Sequence, residues 1–135
     1  MSDYFVIDAD SHVEEPEEAW DYLQDKYKER RPFPIQVPNR PILANLNAFW
    51  WIDGVVHPKI SGNNHTVFGT PPVSYHATHK KFSIGSQTLL DARARLKDMD
   101  AAGVNIQVNF PTVFLEELTE DIEFEADLMR SYNTW

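Results

Sequence analysis

Tyr4-Phe-Val-Ile-Asp-Ala-Asp-Ser-His12 is the first segment with a regular pattern, and the rest of the sequence is interpreted from it. As a β-strand it would place alternate side chains on two faces. One face is apolar or small throughout, and the other begins apolar and ends with Asp10 and His12. This pattern is typical of a strand that presents polar groups at the carboxyl edge of a buried α/β sheet. The alternative is a short edge strand that runs into the acidic turn of residues 14–18.

Three amphipathic helices are predicted from apolar residues that recur at spacings of three and four. They cover residues 16–28, a segment from Ser86 to Gly103, and a segment that begins near Thr119. Gly103 marks the end of the second helix, because glycine readily adopts the left-handed conformation found there. The predicted buried stripes are Trp20, Leu23 and Tyr27 in the first helix, Leu89, Ala92, Leu96 and Met99 in the second, and Ile122, Ala126, Met129 and Tyr132 in the third.

The sequence between the first two helices is rich in proline and predicts an insertion over about residues 32–85. Asp53-Gly54 separates two β-rich runs and predicts a tight hairpin. An irregular loop is predicted from His57 to about Ser83. A loop of this length is typical of a lid or a binding loop, and the alternative is a surface insertion that covers one end of the fold.

The order of the predicted elements indicates the class of fold. Residues 104–110 alternate apolar and polar and predict a second strand, so the chain has the βα order of a repeat protein with a parallel sheet. Two strands cannot close such a sheet, and a complete barrel needs about 250 residues. We therefore expect an α/β fold, the N-terminal portion of a (β/α)8 TIM barrel. Residues 1–135 would form a single incomplete domain, with an insertion that carries a small β-hairpin.

Composition and charge exclude several classes of partner. The formal net charge of −9 disfavours a nucleic-acid partner, which needs a basic face. No apolar run approaches the roughly 20 residues that span a bilayer, and no secretory signal pattern is present. The absence of cysteine excludes disulfides and thiolate metal sites. We expect a cytoplasmic protein that binds a small molecule, with no nucleic-acid or membrane partner and with a homo-oligomer as one arrangement.

Asp10 and His12 are the predicted metal ligands, because residues two apart on a strand share a face. A carboxylate and a neutral imidazole suit one divalent metal ion, zinc first, with manganese or iron as alternatives. Asp8 would lie one pleat deeper, either as another ligand or as a partner that orients His12. A further ligand must come from elsewhere in the protein, and the catalytic residues are not identified by this segment.

Other polar and aromatic residues are weaker candidates. Trp51 could wall a substrate pocket, with Trp50 on the opposite face of the hairpin packed on the core. Asn109 and Thr112, at the end of the second strand, could contact substrate or cap the strand. Four histidines of the predicted loop are more readily interpreted as solvated or substrate-facing side chains than as a second metal site: His57, His65, His76 and His79.

Three blocks of sequence resemble a known family. Ile7-Asp-Ala-Asp-Ser-His-Val13, followed by Glu15-Pro16 and Trp20, resembles the opening of the metal-dependent amidohydrolase superfamily. The branch is the one that includes aminocarboxymuconate-semialdehyde decarboxylase and the resorcylate-type decarboxylases. The second block resembles the next helix and the following strand of this family: Arg95-Leu-Lys-Asp-Met-Asp-Ala-Ala-Gly-Val104 with Phe110-Pro111-Thr112. The third block resembles the end of a later helix: Ser131-Tyr-Asn-Thr-Trp135.

The resemblance implies a (β/α)8 barrel with one metal ion at its C-terminal face. Asp10-x-His12 stands where the family's usual pair is His-x-His, and a carboxylate at the first position also occurs in this branch. The remaining ligands and the catalytic histidine are expected on later strands, beyond Trp135.

Two hypotheses of function follow. The first is a metal-dependent hydrolase or carboxy-lyase that acts on a small, carboxylated substrate, with Asp10 and His12 as two metal ligands. The second is a non-catalytic piece of a barrel that depends on association with another chain or with its own copy. A small-molecule binding module built on the Trp-rich hairpin is a third interpretation, supported only by aromatic content.

Overall fold

The computed structural model describes residues 4–36, 48–59 and 83–135. The strands are β1 (Ile7–Val13), β2 (Phe33–Gln36), β3 (Ala48–Ile52), β4 (Val55–Lys59) and β5 (Ile106–Pro111). The α-helices are α1 (Ile84–Gln87), α2 (Ala92–Ala102) and α3 (Ile122–Thr134), and the 3-10 helices are Glu17–Trp20, Asp25–Arg30 and Val113–Leu115. The described strands form two sheets, β1–β5 and β2–β3–β4.

The strands β1 and β5 pair in parallel, as the predicted strand–helix–strand order requires. The helix before β5 ends at Gly103, whose φ of 72° lies in the left-handed region. The N–H of Val104 then donates to the carbonyl oxygen of Met99 at 3.0 Å, which satisfies an end carbonyl of the helix. The carboxyl ends of the two strands therefore lie side by side, with His12 next to Phe110.

The hairpin predicted at Asp53-Gly54 is confirmed. The φ angles of Asp53 and Gly54 are 49° and 86°, the pair of positive values that lets a two-residue turn follow the twist of its strands. The turn joins β3 to β4, and β2 pairs with β3 on the other side. Strand β2 was not predicted because it contains Pro34. It lies at the edge of its sheet, where a residue without an N–H is tolerated.

The continuous helix predicted over residues 16–28 is wrong, because two 3-10 helices occupy this segment. The chain is extended at Gln24 between them, with φ −60° and ψ 150°. The N–H of Gln24 donates to the carboxylate of Asp127 at 2.9 Å instead of to a helix carbonyl. The predicted buried stripe is confirmed nevertheless: the buried side chains are Trp20, Leu23 and Tyr27.

Helix α2 begins later than predicted. Leu89 has a φ of 57°, so the chain cannot continue from α1 into one helix. The carboxylate of Asp91 accepts a hydrogen bond from the N–H of Ala94 at 3.0 Å and caps the new start. The predicted stripe is also wrong, since α2 buries no side chain and Leu96 is exposed. The side chain of Arg95 contacts β1 and β5 instead.

Helix α3 is buried on a different face from the one predicted. Ile122, the first residue of the predicted stripe, is 84% exposed. The buried side chains are Phe124, Asp127, Leu128 and Ser131. The two polar members of this set have partners, because Asp127 binds Gln24 and the hydroxyl of Ser131 donates to the carbonyl oxygen of Ala19 at 2.7 Å. A polar residue can therefore belong to the buried stripe when a neighbouring segment offers backbone groups.

The hydrophobic core lies where the 3-10 helices, the hairpin and α3 meet. Trp20 is its central residue, and its ring meets the rings of Trp50 and Phe114 edge to face, with centroids 5.8 and 6.0 Å away. The buried cluster consists of Ala19, Trp20, Leu23, Tyr27, Trp50, Ile52, Val113, Leu118, Phe124 and Leu128. The prediction that one of the two adjacent tryptophans packs on the core is confirmed, and the buried one is Trp50.

The parallel pair of strands is outside this cluster and exposes apolar side chains. The exposed set is Tyr4, Phe5, Ile7, Ile106, Val108 and Phe110. An apolar surface of this kind is typical of an interface. Among the described residues, no helix is both long and apolar enough to cross a membrane.

Arg30 joins three elements through ion pairs with two carboxylates. Its guanidinium donates to the carboxylates of Asp53, in the hairpin turn, and of Asp121, at the start of α3, at 2.8 and 2.7 Å. A hydrogen bond from Thr119, and then those from Arg30, hold the pKa of Asp53 below its ordinary value although burial opposes this. The bond from Arg30 and then the N–H of Phe124 lower the pKa of Asp121.

We expect the free energy of unfolding to decrease as the pH falls below 3.8, the ordinary pKa of these carboxyls. A lowered folded-state pKa adds stability that is complete above the unfolded-state value and is lost as the pH falls through the folded-state value. Arg30→Met should make this decrease shallower, because both carboxyl pKa values return toward 3.8. Urea denaturation between pH 7 and 2 measures the slope, with the exposed Lys97→Met as a control. An unchanged slope in Arg30→Met would contradict the assignment.

Candidate metal site at the carboxyl edge of the parallel strands

His12 is fixed at the carboxyl end of β1 by a bond to the neighbouring strand. Its Nδ1 lies 3.2 Å from the carbonyl oxygen of Pro111. Because a carbonyl oxygen can only accept, this hydrogen bond requires the proton on Nδ1 and leaves the lone pair on Nε2. The same Nε2 lies 3.8 Å from the Oδ1 atom of Asp10. The structure thus brings the two predicted ligands together with their acceptor atoms facing one another.

The two acceptor atoms fit a divalent metal ion as a pair. Ligands bonded at about 2.0–2.1 Å in a tetrahedral site lie about 3.3 Å apart, close to the distance between Asp10 and His12. The Asp10 side chain is 93% exposed and that of His12 is 28% exposed, so Asp10 is free to adjust. A histidine that binds a metal through Nε2 is commonly oriented by a hydrogen bond from its Nδ1–H to a backbone carbonyl oxygen. In residues 4–36, 48–59 and 83–135 no group of three metal-binding side chains is assembled.

Strict alternation along β1 is interrupted by a β-bulge. Asp8 pairs with Gln107 and Ser11 pairs with Asn109, so three steps on β1 match two on β5. The hydroxyl of Ser11 consequently donates to the carboxylate of Asp8. An unbroken strand would place Ser11 and Asp8 on opposite faces, and the bulge instead brings their side chains together.

The carboxylate of Asp8 is bound to groups other than His12. It accepts hydrogen bonds from Ser11, from the N–H of Asp10 at 3.1 Å and from the amide of Gln107 at 3.3 Å. The bonds from Ser11 and Asp10 are the main causes that lower its pKa, so Asp8 is ionised at neutral pH. These contacts tie Asp8 to the backbone of Asp10, and its role as a metal ligand stays a prediction.

Thr112 and Glu15 join the ends of the two strands. The hydroxyl of Thr112 donates to the carbonyl oxygen of Val13 at 2.7 Å. The buried carboxylate of Glu15 accepts from the N–H groups of Thr112 and Val113 at 2.7 and 3.1 Å. The observed contacts of Thr112 are those of a strand cap, and its contact with substrate stays a prediction.

The other predicted site residues occupy different places. Asn109 lies on β5 and its side-chain oxygen accepts from Arg95 at 3.0 Å. Trp51 is 37% exposed and its ring lies beside that of Phe33, with centroids 6.5 Å apart. No described contact joins Trp51 to Asp10 or His12. Substrate contacts of Asn109 and Trp51 stay predictions.

The prediction that His57 begins an irregular loop is wrong, because His57 lies in strand β4. It is buried, and its Nδ1 lies 3.4 Å from the carboxylate of Glu116. This correction follows from the Asp53-Gly54 turn, which extends pairing through residue 59. The remaining histidines of the predicted loop, at positions 65, 76 and 79, lie outside the described residues.

A cavity of about 330 Å³ lies near the segment that follows β1 and is lined by Leu89, Tyr132 and Trp135. Burial, with the charge of Glu15, raises the pKa of Tyr132 to about 12. The phenol is therefore protonated at neutral pH and can donate a hydrogen bond. The N–H of Glu14 donates to the carbonyl oxygen of Gln87 at 3.0 Å, which places the turn before Leu89 beside the end of β1.

Glu15, Arg95 and Tyr132 shape this region but were not predicted as site residues. Glu15 was assigned to an acidic helix start, and Tyr132 to a buried helical stripe. Arg95 is one of several charged residues in α2, and nothing in the spacing of these residues singles it out. Glu15 lies 97 positions from Thr112, and Tyr132 lies 117 positions from Glu15. Arg95 reaches His12 at 83 positions as well as Gln107 and Asn109 on the next strand. Local spacing therefore held no signal for their roles.

Comparisons with known proteins show a similar fold and no matching family model. No protein-family model matches the chain, and a search of curated proteins also finds no match. The crystal structure of an amidohydrolase from Mycobacterium avium subsp. paratuberculosis K-10 is similar, with 21% sequence identity and a TM-score of 0.60. The similarity covers 100% of this chain and 38% of that one, so the chain spans little more than a third of its relative's length. The likeness shows a mixed α/β fold that is shared with part of an amidohydrolase and is consistent with part of a barrel.

Proposed function

We propose that the protein is a metal-dependent hydrolase or carboxy-lyase of the amidohydrolase type, acting on a small, carboxylated substrate. The observation that carries the proposal is the geometry of His12. Its Nδ1 is bound to the carbonyl oxygen of Pro111, and its Nε2 faces the carboxylate of Asp10 at 3.8 Å. The likeness in fold to an amidohydrolase supports the same assignment.

Each residue has a part that follows from its contacts. A divalent cation, zinc first and manganese or iron as alternatives, would supply Lewis acidity at the carboxyl edge of the strands. His12 can offer only Nε2, and Asp10 can turn its exposed carboxylate toward the same point. Tyr132 stays protonated at neutral pH and can donate a hydrogen bond to a group bound in the depression that it lines with Leu89 and Trp135.

Metal binding by the purified protein tests the proposal directly. We expect Asp10→Ala and His12→Ala each to weaken Zn²⁺ binding, measured by calorimetry and by metal content, by a factor of about 10 or more. The reason is that each change removes one of the two facing acceptor atoms. Asp100→Ala, an exposed carboxylate of α2, is the matched control and should bind like the wild type. Unchanged binding in both site variants would sink the assignment of Asp10 and His12.

A second candidate is a non-catalytic protein that works through association with another chain or with its own copy. The apolar side chains exposed on β1 and β5 favour it. The same wild-type sample separates the two candidates when its mass is measured by sedimentation velocity. A monomer that binds metal contradicts the association hypothesis, whereas an assembled species without metal affinity favours it.

A further inference from the structure

We propose that Arg95 is the positioning residue of the metal site, because it fixes the backbone from which the side chains of Asp10 and His12 project. This inference rests on the proposed function, since it gives Arg95 a role only if those two residues bind metal. Arg95 lies on α2, behind the paired strands, and does not itself offer an acceptor atom to a cation.

One route from Arg95 to the site is direct. Its Nη2 atom donates to the backbone carbonyl oxygen of His12 at 3.3 Å. The same nitrogen donates to the side-chain oxygen of Asn109 at 3.0 Å, one strand away. The guanidinium therefore spans β1 and β5 near the carboxyl end of β1, where His12 lies.

A second route runs through two side chains to Asp10. The Nε of Arg95 donates to the side-chain oxygen of Gln107 at 2.8 Å. The amide nitrogen of Gln107 donates to the carboxylate of Asp8 at 3.3 Å, and the other oxygen of Asp8 accepts from the N–H of Asp10 at 3.1 Å. This chain crosses the β-bulge, the one place where the strand departs from regular alternation. Both predicted ligands are thus connected to one guanidinium.

The chemistry of arginine suits this position. A planar guanidinium carries five donors in a fixed arrangement, so it can bind acceptors on two strands at once, whereas a lysine ammonium is a single flexible centre. Burial lowers the pKa of Arg95, and the charges of Asp8 and Asp98 oppose that effect. The group nevertheless stays charged at neutral pH because an arginine pKa lies far above it.

Metal affinity and the spectrum of bound Co²⁺ test the inference in the purified protein. Arg95→Met keeps the aliphatic stem and removes the donors, and it should weaken Zn²⁺ binding about 10- to 100-fold and change the visible absorption of bound Co²⁺. Gln107→Met interrupts only the second route and should give a smaller loss of the same kind. Arg93→Met, an exposed position on the same helix, is the control and should leave both measurements unchanged.

The outcomes separate this inference from the proposed function. If Asp10→Ala and His12→Ala lose metal while Arg95→Met and Gln107→Met bind it with wild-type affinity and spectrum, Arg95 is only structural and the inference is overturned. If Arg95→Met does not fold, Gln107→Met alone decides, and wild-type behaviour in it overturns the inference. If all four variants bind metal like the wild type, the proposed function fails and the inference fails with it.

Discussion

Trp20→Ala is expected to lower the free energy of unfolding by about 3–5 kcal/mol, the range found for loss of a large aromatic side chain from a core. Trp20 is 1% exposed, and its ring contacts Trp50 of the hairpin and Phe114 of the last 3-10 helix. The substitution therefore opens a cavity between three elements. The elements cannot all move in to fill it, because each is also anchored elsewhere.

Equilibrium denaturation in urea measures this effect. Tyr22→Ala is the matched control, since Tyr22 lies two residues away on the same segment and is exposed. We expect the control to change the free energy of unfolding by less than about 0.5 kcal/mol. A loss in Trp20→Ala of similar size to the control would mean that Trp20 does not hold the three elements together.

Glu15→Gln is expected to cost about 2–3 kcal/mol of stability, because charge-assisted hydrogen bonds are each worth about 1.5–3 kcal/mol. The carboxylate of Glu15 is buried and accepts from two consecutive backbone N–H groups, those of Thr112 and Val113. An amide in its place keeps one acceptor oxygen and turns an NH₂ group toward the other donor. One backbone N–H is then buried without a partner.

The control for this substitution is Glu17→Gln, at an exposed carboxylate two residues further on. Thermal and urea denaturation should both show the loss in Glu15→Gln and none in Glu17→Gln. Equal behaviour of the two variants would show that the Glu15 carboxylate does not secure the junction between β1 and β5.

Local patterns in the sequence predict the two parallel strands and the hairpin turn of this protein, although they miss β2. Alternation identifies β1 and β5, Gly103 marks the end of α2, and Asp53-Gly54 marks the hairpin. These features depend on the conformational preferences of a few adjacent residues, so they are visible without a partner. The bulge in β1 cannot be recognised from adjacent residues, because it depends on the pairing register with a strand about 99 positions away.

The buried faces of the helices could not be predicted from apolar spacing. Asp127 and Ser131 belong to the buried face of α3 because the 3-10 segments offer them the N–H of Gln24 and the carbonyl oxygen of Ala19. These groups are available only because the segment of residues 16–28 is not a continuous helix. The buried face of α3 therefore depends on the break in the segment it packs against, which the apolar spacing within α3 does not show.

The candidate site also contains residues that the sequence predicts and residues that it does not. Asp10 and His12 were predicted from a spacing of two, and the structure places their acceptor atoms 3.8 Å apart. The groups that hold them come from elsewhere: Pro111 at 99 positions from His12, and Arg95 at 83. A short motif can therefore indicate candidate ligands, whereas the groups that orient them depend on the tertiary fold.

The parallel pairing of β1 with β5 also constrains the order in which the molecule can fold. The partners in this pair are about 99 residues apart in sequence, and β1 pairs with no other strand among the described residues. During synthesis at about 5–20 residues per second, β1 must wait several seconds before β5 exists. A hairpin with a two-residue turn forms in about 1–10 μs once its strands are made. The β3–β4 hairpin is therefore an early element of the nascent chain, and the edge that carries Asp10 and His12 forms later, after β5 has been made.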